Sequence, residues 1–139
     1  MAVLTGGGDC PGLNAAIRAI VRRGLSSGYK MLGIREGWRG FIDQNFISLD
    51  REKITGILPL GGTILGTSRT NPYRDPGTAE KFKAGFAASG CDAVIAIGGE
   101  DTLGVALRLS QDGYKVVGVP KTIDNDIEET DFTIGFQTA

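Results

Sequence analysis

Apolar residues in this chain fall into short continuous runs, separated by stretches in which they recur every three or four positions, with glycines at the joins. Residues 1–5 (MAVLT), 29–34 (YKMLGI), 92–97 (DAVIAI) and 115–120 (KVVGVP) read as strands. Between them, residues 11–28 set Leu13, Ala16, Ile17, Ile20, Val21 and Leu25 on one helical face, with Pro11 where the helix starts and Gly28 where it stops. Residues 77–90 predict a helix with Phe82 stacked on Phe86, and residues 100–113 predict another. Residues 35–60 are less regular, with an edge strand over 46–49 (FISL) and a short helix near 50–57; residues 130–139 read as a further strand. Strands apolar along their whole length, alternating with helices, predict an α/β fold: a Rossmann-like, doubly wound, mostly parallel sheet with helices on both faces. Ligands of such sheets bind beyond the carboxyl ends of the strands, where the segments 6–12, 98–102 and 120–126 fall and are expected to converge.

Composition narrows the chemistry. The 139 residues suit one domain. Glycine, at 22 residues, is more than twice its usual ~7% share, and its clusters at 6–8, 61–62 and 98–99 mark turns rather than a collagen-like repeat. Fifteen Lys and Arg against sixteen Asp and Glu give a net charge of −1, so no whole-chain field favours nucleic acid or an anionic membrane. No apolar run approaches the ~20 residues of a membrane span. The absence of histidine excludes imidazole chemistry, and two cysteines, Cys10 and Cys91, point to a reduced, cytoplasmic protein.

Four loops carry candidate chemistry. The first, residues 5–12 (TGGGDCPG), follows a strand and opens a helix, a ready site for an anion, although it fits neither the dinucleotide fingerprint nor the Walker loop. Its alternative is a structural tight turn. In the second, residues 98–102 (GGEDT), two acids stand where a phosphate cradle would repel them; Glu100 is then most simply a ligand for Mg²⁺, which bridges phosphate oxygens. The alternative is that Glu100 or Asp101 caps the following helix. The third, residues 120–131 (PKTIDNDIEETD), offers Lys121 and Thr122 to a transferring phosphoryl group. Asp124 and Asp126, on one side if this stretch is extended, are candidate proton acceptors; a solvated polar turn is the alternative. The fourth, residues 61–72, offers Arg69 as a phosphate clamp, with a surface arginine on a hairpin-like loop as the alternative. Trp38, Phe82 and Phe86 read as core.

The stretches LTGGGDCPGLNAAIR, GGTILGTSR, AIGGEDT and PKTIDNDI…TDFTIGFQTA occur together in the order and spacing of the 6-phosphofructokinase family, which this sequence resembles from residue 1 to residue 139. The resemblance implies Mg²⁺-dependent transfer of a phosphoryl group to the 1-hydroxyl of fructose 6-phosphate. By position, Gly7, Gly8, Arg69, Gly99 and Thr102 would bind the donor and Glu100 the magnesium. Asp124 would take the hydroxyl proton, flanked by Thr122 and Asp126 at the sugar. Arg18 and Arg22 match positions that hold an allosteric nucleotide in bacterial ATP-dependent members, the alternative being a solvated helix face.

ATP-dependent members of the family that this chain resembles usually carry glycine at the positions of Asp101 and Lys121, although Lys can accompany glycine in the other loop, whereas members that use diphosphate carry the pair Asp and Lys. A carboxylate at residue 101 would occupy the space of a nucleotide's α-phosphate and repel it by ~4 kcal/mol at ~4 Å and an effective dielectric near 20, about a thousandfold in affinity. Lys121 is expected to pair with Asp101 and to offset charge on the leaving phosphate. Diphosphate is therefore the expected donor. The alternatives are an ATP-dependent phosphofructokinase fragment and a non-catalytic phosphate- or nucleotide-binding module on the same fold. Family members continue into a second, sugar-binding domain, so residues 1–139 are expected to form the donor- and magnesium-binding part, inactive alone, of a protein that oligomerises when complete.

Overall fold

In the computed structural model, which describes residues 1–128 and 130–136, six strands and five helices follow the predicted alternation. The strands are β1 (Ala2–Thr5), β2 (Met31–Ile34), β3 (Phe46–Leu49), β4 (Val94–Gly98), β5 (Val116–Thr122) and β6 (Ile134–Gly135). The helices are α1 (Leu13–Ser26), α2 (Arg39–Ile42), α3 (Arg51–Ile54), α4 (Pro76–Ser89) and α5 (Glu100–Gln111). One sheet runs in the order β3-β2-β1-β4-β5-β6, parallel throughout except for β3, which pairs antiparallel with β2 at the edge.

Side chains alternate along β1 and sort into two cores. Val3, with Ile97 and Met31, packs beneath α1 and α3 against Leu13, Ile17, Val21 and Ile54. Ala2 and Leu4, with Val94 and Ala96, pack on the other face beneath α2, α4 and α5. The second core is aromatic: Phe41 sits 5.3 Å from Phe82 and 5.4 Å from Phe86, and Trp38 lies 6.1 Å from Phe82. Helix α2 reaches α4 this closely because residue 85 is glycine; a Cβ there would overlap the Phe41 carbonyl oxygen.

One expectation needs correction. The strand foreseen over residues 130–139 is only two residues long within the described part, and residues 137–139 lie outside it. Its partner bends away at residues 123–124, leaving Lys121 and Thr122 alone to pair with Ile134 and Gly135. The helices cover both faces as expected, with Val119 of β5 packed against the core beneath α1 while Val117, nearer the strand start, is 61% exposed.

Candidate functional site

At the carboxyl ends of β1, β4 and β5, three loops and residues 68–71 enclose one cavity of about 510 Å³. Its walls include Gly7, Gly8, Arg69, Gly99, Glu100, Asp101, Thr102, Lys121 and Asp126. The convergence expected from the sheet is therefore present. Trp38, Ser68, Thr70, Asn71 and Val105 also line it, and sequence reasoning had passed over them in this role.

The loops are locked by buried polar contacts. Gly6 N–H donates to the Ile97 carbonyl at 2.8 Å, tying the first loop to β4. Gly6 and Gly98 must be glycines, since a Cβ on either would press into the buried side chain of Thr102. Gly7, at φ +78°, N–H-donates to Ser68 O at 3.2 Å, setting the first loop beside the segment that carries Arg69. The Thr5 hydroxyl lies 2.8 Å from that of Thr63 and donates to Gly66 O at 2.8 Å, so the strand end grips the same segment.

The electrostatics centre on Lys121. It is 5% exposed, and its ammonium donates to the Gly8 carbonyl oxygen. No carboxylate lies within 4.0 Å of it: the ion pairs among the described residues are Arg39–Asp43 at 2.9 Å and Lys83–Glu80 at 3.3 Å. The expected Asp101–Lys121 pair is therefore not formed, because the lysine turns inward to Gly8 while Asp101 is exposed. Burying an ammonium without a counter-charge costs several kcal/mol, and an incoming anion offsets that cost.

The space for such an anion is defined by donors. A methyl-sized group above Gly7 would lie 3.6 Å from Lys121 Nζ, 3.8 Å from Gly99 N and 4.0 Å from Thr102 Oγ1. Helices α1 and α5 both begin at glycine with no side-chain cap, whereas α3 and α4 are capped by Asp50 and Asp75. Helix α5, which opens on the cavity wall, thus turns its uncapped N-terminus toward a ligand, whereas the first turn of α1 lies off the wall and its Asn14 N–H donates to Gly62 O at 3.2 Å.

The acidic segment departs from expectation. Asn125 adopts a left-handed φ of 54°, so residues 124–126 are not extended and Asp124 and Asp126 do not share a side. Asp126 Oδ1 accepts from the Thr122 hydroxyl at 2.7 Å, and that hydroxyl accepts from Asp124 N–H at 3.0 Å. Asp126 lines the cavity, whereas Asp124 is exposed and outside its walls, with no hydrogen bond to its carboxylate among the described residues. Glu100 is exposed on the cavity wall, and no group of three acidic or sulfur ligands suited to a metal occurs among the described residues.

The phosphofructokinase family model matches residues 1–139. The chain belongs to the phosphofructokinase family. It is similar to a pyrophosphate–fructose 6-phosphate 1-phosphotransferase of Amycolatopsis methanolica, 59% identical over 99% of this chain and 40% of that protein. A protein of the same name from Dictyoglomus thermophilum is 54% identical over 99% of this chain and 40% of its own length. ATP-dependent 6-phosphofructokinase 3 of Streptomyces coelicolor is 50% identical over the same shares. Among solved structures, Pichia pastoris phosphofructokinase in the T-state superposes with a TM-score of 0.89 at 32% identity, covering 97% of this chain and 16% of that one. This phosphofructokinase chain thus spans about two fifths of the length of the curated relatives it matches.

A second cavity, of about 290 Å³, lies between α1 and α3 of this phosphofructokinase chain and is lined by Arg18, Arg22, Arg51, Ile54, Thr55 and Gly56. None of the three guanidinium groups has a carboxylate within 4.0 Å among the described residues. Arg51 could be found only in three dimensions, since nothing in its local sequence marks it. No helix among the described residues is long and apolar enough to cross a membrane.

Proposed function

We propose that this chain is the donor-binding part of a phosphofructokinase that transfers a phosphoryl group from diphosphate to the 1-hydroxyl of fructose 6-phosphate. The observation that carries this reading is the buried Lys121 ammonium, bonded to the Gly8 carbonyl but without a counter-charge among the described residues, on a cavity rimmed by Gly99 N–H and the Thr102 hydroxyl. Diphosphate supplies the missing negative charge, and Lys121 then offsets charge that develops on the leaving phosphate. Arg69, which also lines the cavity, clamps the donor.

Asp124, rather than Asp126, suits the role of base. Its carboxylate is free, while one oxygen of Asp126 is engaged by Thr122, which holds the turn that presents Asp124. The free carboxylate takes the proton of the sugar hydroxyl as that oxygen attacks phosphorus. Glu100, on a wall where no three-ligand cluster occurs among the described residues, fits Mg²⁺, an ion that takes one or two protein carboxylates and fills its shell with phosphate oxygens and water. Bound there, Mg²⁺ would neutralise charge on the diphosphate. The sugar's remaining contacts belong to the length that the relatives have beyond this chain, and the complete protein is expected to oligomerise. The three arginines of the second cavity suit an anionic effector.

Cavity size does not bar a nucleotide, since about 510 Å³ is ample for one. Charge is the barrier. Asp101 is exposed, so solvent screening reduces its repulsion of an α-phosphate to about 1–2 kcal/mol, well below the value for a dielectric of 20. Asp101→Gly in the full-length enzyme is accordingly expected to raise kcat/KM with ATP roughly tenfold. Lys121→Met is expected to lower diphosphate turnover by at least about a hundredfold. Steady-state assays with both donors decide the matter. An enzyme that already prefers ATP, or that keeps full diphosphate activity without Lys121, would refute the proposal.

A further inference from the structure

We infer that Asn14 is a positioning residue for the donor cavity, fixing the Arg69-bearing segment against the first glycine loop; this rests on the donor-site reading above. Asn14 lies in the first turn of α1, is 2% exposed and does not line the cavity. Its flanking helix positions, Leu13 and Ile17, are buried apolar residues, so an amide there is tolerated only if its polar atoms are paired. They are all turned on one short stretch. Asn14 Nδ2 donates to the carbonyl oxygens of Leu60 and Gly61, each at 3.2 Å, while Oδ1 accepts from Ile64 N–H at 2.7 Å. Its backbone N–H donates to Gly62 O at 3.2 Å.

A side chain that donates twice and accepts once at this span must be Asn. Leucine would leave three main-chain groups without their side-chain partner, and aspartate would set carboxylate oxygens against two carbonyls. The clamp also brings Gly62 against the first loop, where a Cβ on residue 62 would come within 2.7 Å of Asp9 Oδ2. Around and beyond Ile64, other contacts share the hold: Thr5 holds Thr63 and Gly66, buried Leu65 enters the core, and Ser68 O accepts from Gly7 N–H. The fold therefore survives without the Asn14 amide. What is lost is the angle at which residues 60–62 feed the segment ending at Arg69, and with it the placement of the guanidinium on the donor.

The test is a double-mutant cycle in the full-length protein, with magnesium diphosphate affinity measured by calorimetry and folding checked by circular dichroism. Asn14→Ala and Arg69→Ala are each expected to weaken binding about tenfold, and the double variant no more than about threefold beyond Arg69→Ala. Additive losses, or none from Asn14→Ala, overturn the inference while leaving the donor site standing. No loss from Arg69→Ala overturns the donor-site reading itself. Asn14→Asp supplies a second readout and carries the test if alanine does not fold. Burial raises the pKa of an aspartate there, and once protonated it donates again to the Leu60 or Gly61 carbonyl. Its affinity relative to the unmodified protein should therefore recover as pH falls from 8 to 6. A flat ratio across that range sinks the clamp.

Discussion

Cys10 shows how one residue can be near the site and outside its chemistry. It is buried between the first loop and β6, with its thiol donating to Pro11 O at 3.4 Å. Burial pushes its pKa above the ordinary 9.0, and the nearby Lys121 ammonium only partly counters this. The thiol is therefore neutral at pH 7. Alkylation of Cys10 in the folded chain is expected to be far slower than that of a free thiol and to accelerate on unfolding, with mass spectrometry as the readout. Because the folded-state value is raised, the residue's contribution to stability is fully present below pH 9 and is lost as pH rises through the folded value. Rapid neutral-pH labelling of the native protein would contradict this. At this scale the residue types at Gly7, Gly8, Arg69, Gly99, Glu100, Asp101, Thr102, Lys121 and Asp126 were legible from motif and order. The burial of Lys121 and its turn toward Gly8 were not, since a lysine's side-chain direction depends on everything packed around it.

Among the elements, the long helices, the apolar strands, the edge strand β3 and the short α3 were legible in the sequence, and α2 was not. Helices α1, α4 and α5 span 12 to 14 residues and show their apolar faces in the sequence, whereas α2 has four residues, too few to display a period. It exists because its Phe41 fills the aromatic core and Gly85 lets α4 approach it. Gly85→Ala is accordingly expected to destabilise the chain by about 3 kcal/mol in urea denaturation, despite alanine's better helix propensity. A stabilising effect would show that α2 and α4 can part without cost. The turn at Asn125 failed to register for a related reason: a left-handed residue between two aspartates is invisible to alternation arguments, and it separated two carboxylates that the pattern had placed together.

For the whole molecule, the sole tryptophan links packing to function. Trp38 is 2% exposed, packs on Phe82, and lines the donor cavity, with its indole N–H unpaired. Magnesium diphosphate is expected to change the fluorescence of residues 1–139 saturably, while an assay of the same chain with fructose 6-phosphate gives no turnover. Normal turnover would refute the reading that the relatives' additional length completes the sugar site. Absence of a fluorescence change, with binding also absent by calorimetry, would count against the donor cavity.

By itself the sequence determined the strand–helix alternation, the parallel sheet, and the three loops at its carboxyl edge, because apolar periodicity and glycine placement are local properties that survive without knowledge of neighbours. It also determined the identity of most groups that face the cavity. Only the tertiary structure decided which charges are paired, which are buried and which carboxylate is free. It decided, too, that Asn14 and Arg51 each join a cluster with residues distant in the chain. Those properties depend on distance and dielectric, which arise when segments remote in sequence close around one another.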